Sequence, residues 1–240
     1  MEHAEGETAE AVERRLRRAW ERIEAACAAA GRPPGAARLL LAVKTQPVEA
    51  IRAAIGAGAR LIGENRVQEL VSKGPELADL PHKAHMIGQL QSNKVNAVLR
   101  WADCVETVDS LRLAERLSAR AAGREVPLDV MIQVNTSAEP SKGGVAPPEA
   151  VQLAEAVAPL DGLRLTGLMT VGPNVADPAV VRRAYASLRR IGEELAARGL
   201  VTGPAELSMG MSGDLELAVA EGATIVRLGT AVFGPRATPA

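Results

Sequence analysis

The chain has 240 residues, enough for one barrel-sized domain or two small ones with a real core. Apolar residues make up 47% and charged residues 24%, an ordinary soluble balance, and the net charge of −1 gives no electrostatic pull towards nucleic acid or an anionic membrane. Cys27 and Cys104 form no CxxC pair and no apolar run approaches the roughly 18 residues of a membrane span, so a soluble, cytoplasmic chain without a disulfide framework is expected.

Residues 1–8 are charged and read as a flexible N-terminus. Residues 9–30 follow as an amphipathic helix, with Val12, Leu16, Ala19, Trp20, Ile23 and Cys27 recurring at threes and fours and Gly31, Pro33 and Pro34 ending it. Short apolar runs then alternate with helical patterns. The strand-like runs span 38–44, 59–63, 84–88, 103–107, 128–134, 163–169, 205–209 and 224–229. Helical stretches lie near 47–56, 65–73, 92–100, 110–122, 147–158, 177–198 and 213–221. With one Phe, one Tyr and two Trp, the interior has to be built from Ala, Val, Leu and Ile.

Eight strands alternating with helices predict an α/β fold, a single (β/α)8 TIM barrel with an extra N-terminal helix, over residues 9–236 with a tail at 237–240. Runs of four to seven apolar residues suit strands buried on both faces. An open doubly wound sheet is the alternative. It usually carries a glycine-rich loop after its first strand, where AVKTQP stands here.

In a barrel the chemistry gathers at the C-terminal ends of the strands. Lys44 closes the first strand-like run. Leu40, Ala42 and Lys44 share one face by period two, and if that face points inward an amine stands at the mouth of a dry barrel. Desolvation there favours the free amine, which attacks an aldehyde. A surface lysine is the plainer alternative.

SMGMSGD (208–214) follows the seventh strand and RLGTAVFG (227–234) the eighth, the places where barrels bind phosphate on backbone N–H groups. Ser208, Ser212 and Thr230 add hydroxyls, and Gly229 lets the backbone approach. Each segment alone reads equally as a helix cap. Arg227, pointing inward, would reach a ligand's ring nitrogen and keep it unprotonated. His82 and His85 are three apart without a carboxylate or cysteine cluster, so no metal is expected. No Asp–His arrangement makes Ser212 a nucleophile.

The motifs AVKTQP, GENRVQE (63–69), HMIGQLQSNK (85–94), GLMT (167–170), SMGMSGD and RLGTAVFG, in this order, resemble the pyridoxal phosphate homeostasis protein family, also called the YggS or PROSC family. The resemblance covers about residues 10–235, and the family is itself similar to the N-terminal barrel of alanine racemase without its second domain. It implies pyridoxal phosphate as cofactor, held as a Schiff base on Lys44. Ser208, Gly229 and Thr230 would lie around the phosphate, Arg227 at the ring nitrogen, and Asn65 and His85 along the site. Ser212 and Lys142 are secondary candidates, Lys142 as a second amine for cofactor transfer or as a flexible surface lysine. The chain departs from the family pattern at Gln46, Arg66 and Met86, which bears on stacking or flanking charge at the mouth.

What the resemblance implies is a carrier or buffer in intracellular pyridoxal phosphate homeostasis, with no catalytic residue, a monomer, and apo-enzymes that use the cofactor as possible partners. A racemase-like enzyme and a Schiff-base aldolase are the alternatives. Against a racemase, Tyr185, the chain's one tyrosine, falls in the helix RRAYASLRR and is expected to be remote from the strand ends.

Overall fold

The computed structural model describes residues 9–137, 139 and 141–234. The segments 1–8 and 237–240, together with residues 235 and 236, lie outside the described residues.

Eight parallel strands close into a barrel in chain order: β1 (Arg38–Ala42), β2 (Leu61–Glu64), β3 (Lys83–Met86), β4 (Cys104–Val108), β5 (Leu128–Gln133), β6 (Leu163–Met169), β7 (Glu206–Ser208) and β8 (Ile225–Leu228). β1 pairs with β2 on one side and β8 on the other, so Leu40 stands beside both Leu61 and Arg227. Helices α2 (Val48–Gly56), α3 (Val67–Leu77), α4 (Val95–Val98), α5 (Leu111–Ala121), α6 (Ala150–Val157), α7 (Pro178–Ala197) and α8 (Leu215–Ala220) make the crossovers. The leading helix α1 (Ala9–Ala29) buries Val12, Leu16, Ile23 and Cys27 and packs on α2, α8 and the last short helix, α9 (Thr230–Phe233). Among the described residues no helix is long and apolar enough to cross a membrane.

Buried side chains fall into two layers, as strands covered on both faces require. Leu39, Leu41, Ile62, Val105, Val130, Val226 and their neighbours meet the helices. Leu40, Leu61, Ile87, Cys104, Met131, Met169 and Ile225 fill the barrel, with Ala42 and Val171 above them. The inward face of β1 is therefore the one that carries Leu40 and Ala42.

The element boundaries differ from expectation in one place that matters. Lys44 does not close β1: the strand ends at Ala42, and Lys44 sits in a turn two residues on. The strand pattern overran because Val43 is fully buried and still makes a ladder-like bond, its N–H donating to the Gly63 carbonyl at 3.0 Å.

Candidate functional site

Above the barrel's apolar filling, the strand ends enclose a cavity of about 450 Å³. Its floor and one side are apolar, from Ala42, Ile87, Met169 and Val171. Its polar side brings together Lys44, Asn65, Ser212, Arg227, Gly229 and Thr230, six of the residues singled out from the sequence. Asn65 lines the cavity as a residue, and its Oδ1 is itself buried without a hydrogen-bond partner.

Lys44 is held by its backbone. The Gln46 N–H donates to Val43 O at 3.1 Å, closing a four-residue turn with Lys44 and Thr45 at its centre. Thr45 has φ +61, the one non-glycine residue at positive φ among the described residues. A β-branched residue there costs about 1–3 kcal/mol. The Thr45 N–H donates to Glu69 Oε2 at 2.6 Å. Lys73, buried on the same face of α3, donates to Glu69 Oε2 (2.9 Å), Glu64 Oε1 (2.7 Å) and Val43 O (2.9 Å).

Arg227 reaches the cavity from β8 and is only 6% exposed. It donates to Ser208 Oγ at 2.9 Å and to the Thr170 carbonyl at 2.6 Å, which uses two of its five N–H groups. Ser208 in turn donates to Glu106 Oε2 at 2.6 Å, and the other oxygen of Glu106 faces His85 Nδ1 at 2.6 Å. Burial works to raise the Glu106 pKa, but the hydrogen bond and charge of His85, the charge of Arg227 and the Ser208 hydroxyl together hold it below the usual carboxylate range. An ionised Glu106 accepts from both neighbours, which places the His85 proton on Nδ1. Ser208 and His85 do not line the cavity. Their polar atoms turn into the barrel beneath it, where an inward polar side chain has to find a partner.

The two loops expected to take phosphate do border the cavity, through Ser212 and Gly213 after β7 and Gly229 and Thr230 after β8. Val232 and Phe233 both donate to the Gly229 carbonyl, so the N–H groups of Thr230 and Ala231 precede the first bond of α9. Two glycines are demanded here. Gly210 has φ +94, and a Cβ on Gly229 would meet the Ala42 carbonyl oxygen at 3.0 Å. Asp214 shapes the first loop by accepting the Met211 N–H at 2.6 Å, and it is held by the Tyr185 hydroxyl at 2.7 Å. Tyr185 is thus not remote from the strand ends. It is fully buried, its phenol pushed far up by that burial and by Asp214, and its hydroxyl reaches the loop from behind without lining the cavity. From the other side, Arg22 of α1 donates to the Ser212 carbonyl at 2.9 Å and pairs with Glu216 at 2.7 Å.

Residues 14–237 match the family model described as the N-terminal domain of alanine racemase. A pyridoxal phosphate homeostasis protein of Pseudomonas aeruginosa is 48% identical over 215 residues, 90% of this chain and 91% of that protein. One from Aquifex aeolicus is 43% identical over 222 residues, covering 92% and 97%. The chain belongs to the pyridoxal phosphate homeostasis protein family. Among solved structures of comparable length, an unknown protein from Bifidobacterium adolescentis superposes with a TM-score of 0.86 at 44% identity, covering 93% of this chain and 95% of that one. PipY of Synechococcus elongatus, solved with pyridoxal phosphate bound, does so at 0.76 and 36%, covering 88% and 100%. An alanine racemase of Clostridium difficile shares the fold at a TM-score of 0.72 and 15% identity, covering 93% of this chain and 56% of the racemase.

Against the homeostasis-family pattern, Gln46 does line the cavity, whereas Arg66 is exposed at the start of α3 and Met86 points into the layer between barrel and helices. Stacking at the mouth is thus not a role position 86 has here. Lys142 is no flexible surface lysine: it donates to Glu139 Oε1 and the Gly172 carbonyl, each at 2.7 Å, and ties the loop after β5 to the one after β6. No group of three or more potential metal ligands gathers among the described residues. Sequence reasoning passed over Glu106, Tyr185 with Asp214, and Glu64, Glu69 and Lys73. Glu69 and Lys73 left a signal in their i,i+4 spacing, and Glu106 a partial one in the period-two alternation of its strand.

Glu106 makes the buried chain testable. Folding lowers its pKa, so the folded protein holds fewer protons there than the unfolded chain. Its contribution to stability is present above the ordinary carboxylate pKa and is lost as pH falls through the lowered value. Glu106→Gln should cost about 3–5 kcal/mol near neutral pH, measured by urea unfolding, since it removes the negative charge that offsets the buried Arg227. That gap should narrow as the pH is lowered to about 3. A gap that stays constant over that range would show that Glu106 is not ionised in the fold.

Proposed function

We propose that this chain holds pyridoxal phosphate covalently on Lys44 and serves as a carrier or buffer of that cofactor rather than as an enzyme. The observation that carries the proposal is the composition of one cavity wall: a primary amine, a buried arginine, an asparagine and two glycine-containing loops at helix starts. The cavity's roughly 450 Å³ is also in the range of small-cofactor sites.

Pyridoxal phosphate supplies an aldehyde that condenses with a primary amine. Lys44 offers that amine at the edge of an apolar floor. Backbone N–H groups of the Ser212–Gly213 and Gly229–Ala231 segments, with the Ser212 and Thr230 hydroxyls, would hold the phosphate. Arg227 has N–H groups to spare for the ring nitrogen, and being permanently charged it would keep that atom unprotonated. Ser208 and His85 act one step away, Ser208 by holding Arg227 and His85 by sharing Glu106 with it.

The lining also supports the absence of turnover. Moving a proton across the two faces of an amino acid's α-carbon requires two acid–base groups. Among the described residues that line the cavity, Lys44 is the one side chain suited to that work, because Arg227 stays charged and the phenol of Tyr185 is spent on Asp214. The handover partners we expect are apo-enzymes that use the cofactor, met by a monomer in the cytoplasm. Two free, buried cysteines are compatible with a reducing compartment.

Two measurements test this. Pyridoxal without its phosphate should bind at least about a hundredfold more weakly than the phosphorylated form, since two or more charge-assisted hydrogen bonds are lost. Equal affinities would show that the β7 and β8 loops do not bind phosphate. Loaded protein incubated with alanine or serine in deuterated water should exchange no α-proton at many turnovers per minute. Fast exchange that disappears in Lys44→Ala would replace the carrier with an enzyme.

A further inference from the structure

Lys44 lies beyond the last paired residue of β1, so the barrel ladder does not determine where its amine points. What determines it is the conformation of two peptide groups, one on each side of its Cα. Both are bound by the same cluster. The carbonyl of the 43–44 peptide accepts from Lys73 Nζ at 2.9 Å as well as from the Gln46 N–H. The N–H of the 44–45 peptide donates to Glu69 Oε2 at 2.6 Å. Resting on the assignment of Lys44 as the attachment point, we infer that Glu69 and Lys73 are positioning residues: they clamp the peptides flanking Lys44 and hold Thr45 in the left-handed turn that aims the amine into the cavity.

The turn itself explains why a clamp is needed. Val43 to Gln46 is a turn closed between its first and fourth residues, with a positive φ at its third. Glycine is the usual residue there, because a Cβ is strained in that region and a β-branched side chain more so. Thr45 occupies it nonetheless. Left to itself, Thr45 would relax to negative φ and swing the 44–45 peptide away.

Glu69 resists this from the first turn of α3. Lys73, four residues on and on the same face, pins Glu69 and is in turn fixed by the almost fully buried Glu64 at the end of β2. Burial tends to raise the Glu69 pKa, yet Lys73 and the Thr45 N–H bring it below the usual value, as expected of an ionised acceptor. The cluster therefore references Lys44 to β2 and α3, two rigid elements, rather than to the loop it sits in. None of the three charged residues lines the cavity, so none of them touches a ligand there.

The test uses the whole protein stripped of cofactor. Pyridoxal 5′-phosphate reports on bond formation by its absorbance. Pyridoxine 5′-phosphate, which has the ring and phosphate but no aldehyde, reports on the cup alone. Glu69→Ala should slow bond formation by about tenfold or more while changing affinity for the aldehyde-free analogue by less than about twofold. Adding Thr45→Gly, which needs no clamp to keep positive φ, should restore most of the lost rate, and Glu69→Gln, which keeps an acceptor oxygen, should resemble the wild type. Should Glu69→Ala fail to fold, Glu69→Asp draws the acceptor back by one methylene and is read in the same way. An unchanged rate in either variant overturns the inference. So does a loss that the analogue shares and Thr45→Gly does not repair, because that is general loosening. A wild-type protein that forms no bond at Lys44 overturns the proposed function instead.

Discussion

A guanidinium can be buried at the wall of a barrel only if its charge and donors are met there, and much of this site follows from how Arg227 meets that condition. It is nearly excluded from water, so Ser208, the Thr170 carbonyl and, through Ser208, the ionised Glu106 have to lie where they do. Glu106 then needs its second oxygen satisfied, and His85 supplies the proton from the neighbouring strand. Four side chains from β3, β4, β7 and β8 form one chain of hydrogen bonds across the barrel. The cavity above them has a floor that is apolar at its surface and ionic beneath. Arg227 keeps donors free for that cavity without being free to move.

The rest of the rim is made stiff in the same manner, by side chains that do not touch the cavity. Tyr185 holds Asp214 from the helix side, Arg22 holds the Ser212 carbonyl from α1, and Lys142 links the loops after β5 and β6. Loops are the mobile parts of most barrels. Here the loop after β7 is tied to α1 and α7, and the loop after β1 to α3. A preorganised set of donors loses less entropy when the ligand arrives.

The barrel was readable because its strands are buried on both faces, which leaves short continuous apolar runs between helical patterns. That Lys44, Arg227 and the two glycine-containing loops border one cavity could be anticipated from their places at or just past strand ends, while Asn65 was implied by the family resemblance. What was not readable lies one shell further out. In DCVET, Glu106 looks like any polar residue at a strand end, and period two shows that it points inward but not that His85 and Ser208 point at it. Nothing in the sequence shows that Ser208 and His85 spend their polar atoms on Glu106 and Arg227. Tyr185 was placed on the outer ring, because a helical wheel gives the direction of a side chain and not its reach. Thr45 carries no sequence sign of its positive φ, which is created by Glu69 some 24 residues away.

Attachment to Lys44 is the central claim, and borohydride reduction of the loaded protein followed by peptide mapping tests it most directly. The account predicts a stable pyridoxyl adduct on the peptide that contains Lys44, close to one per chain. An adduct found instead on Lys142, on Lys73 or scattered over surface lysines would contradict it.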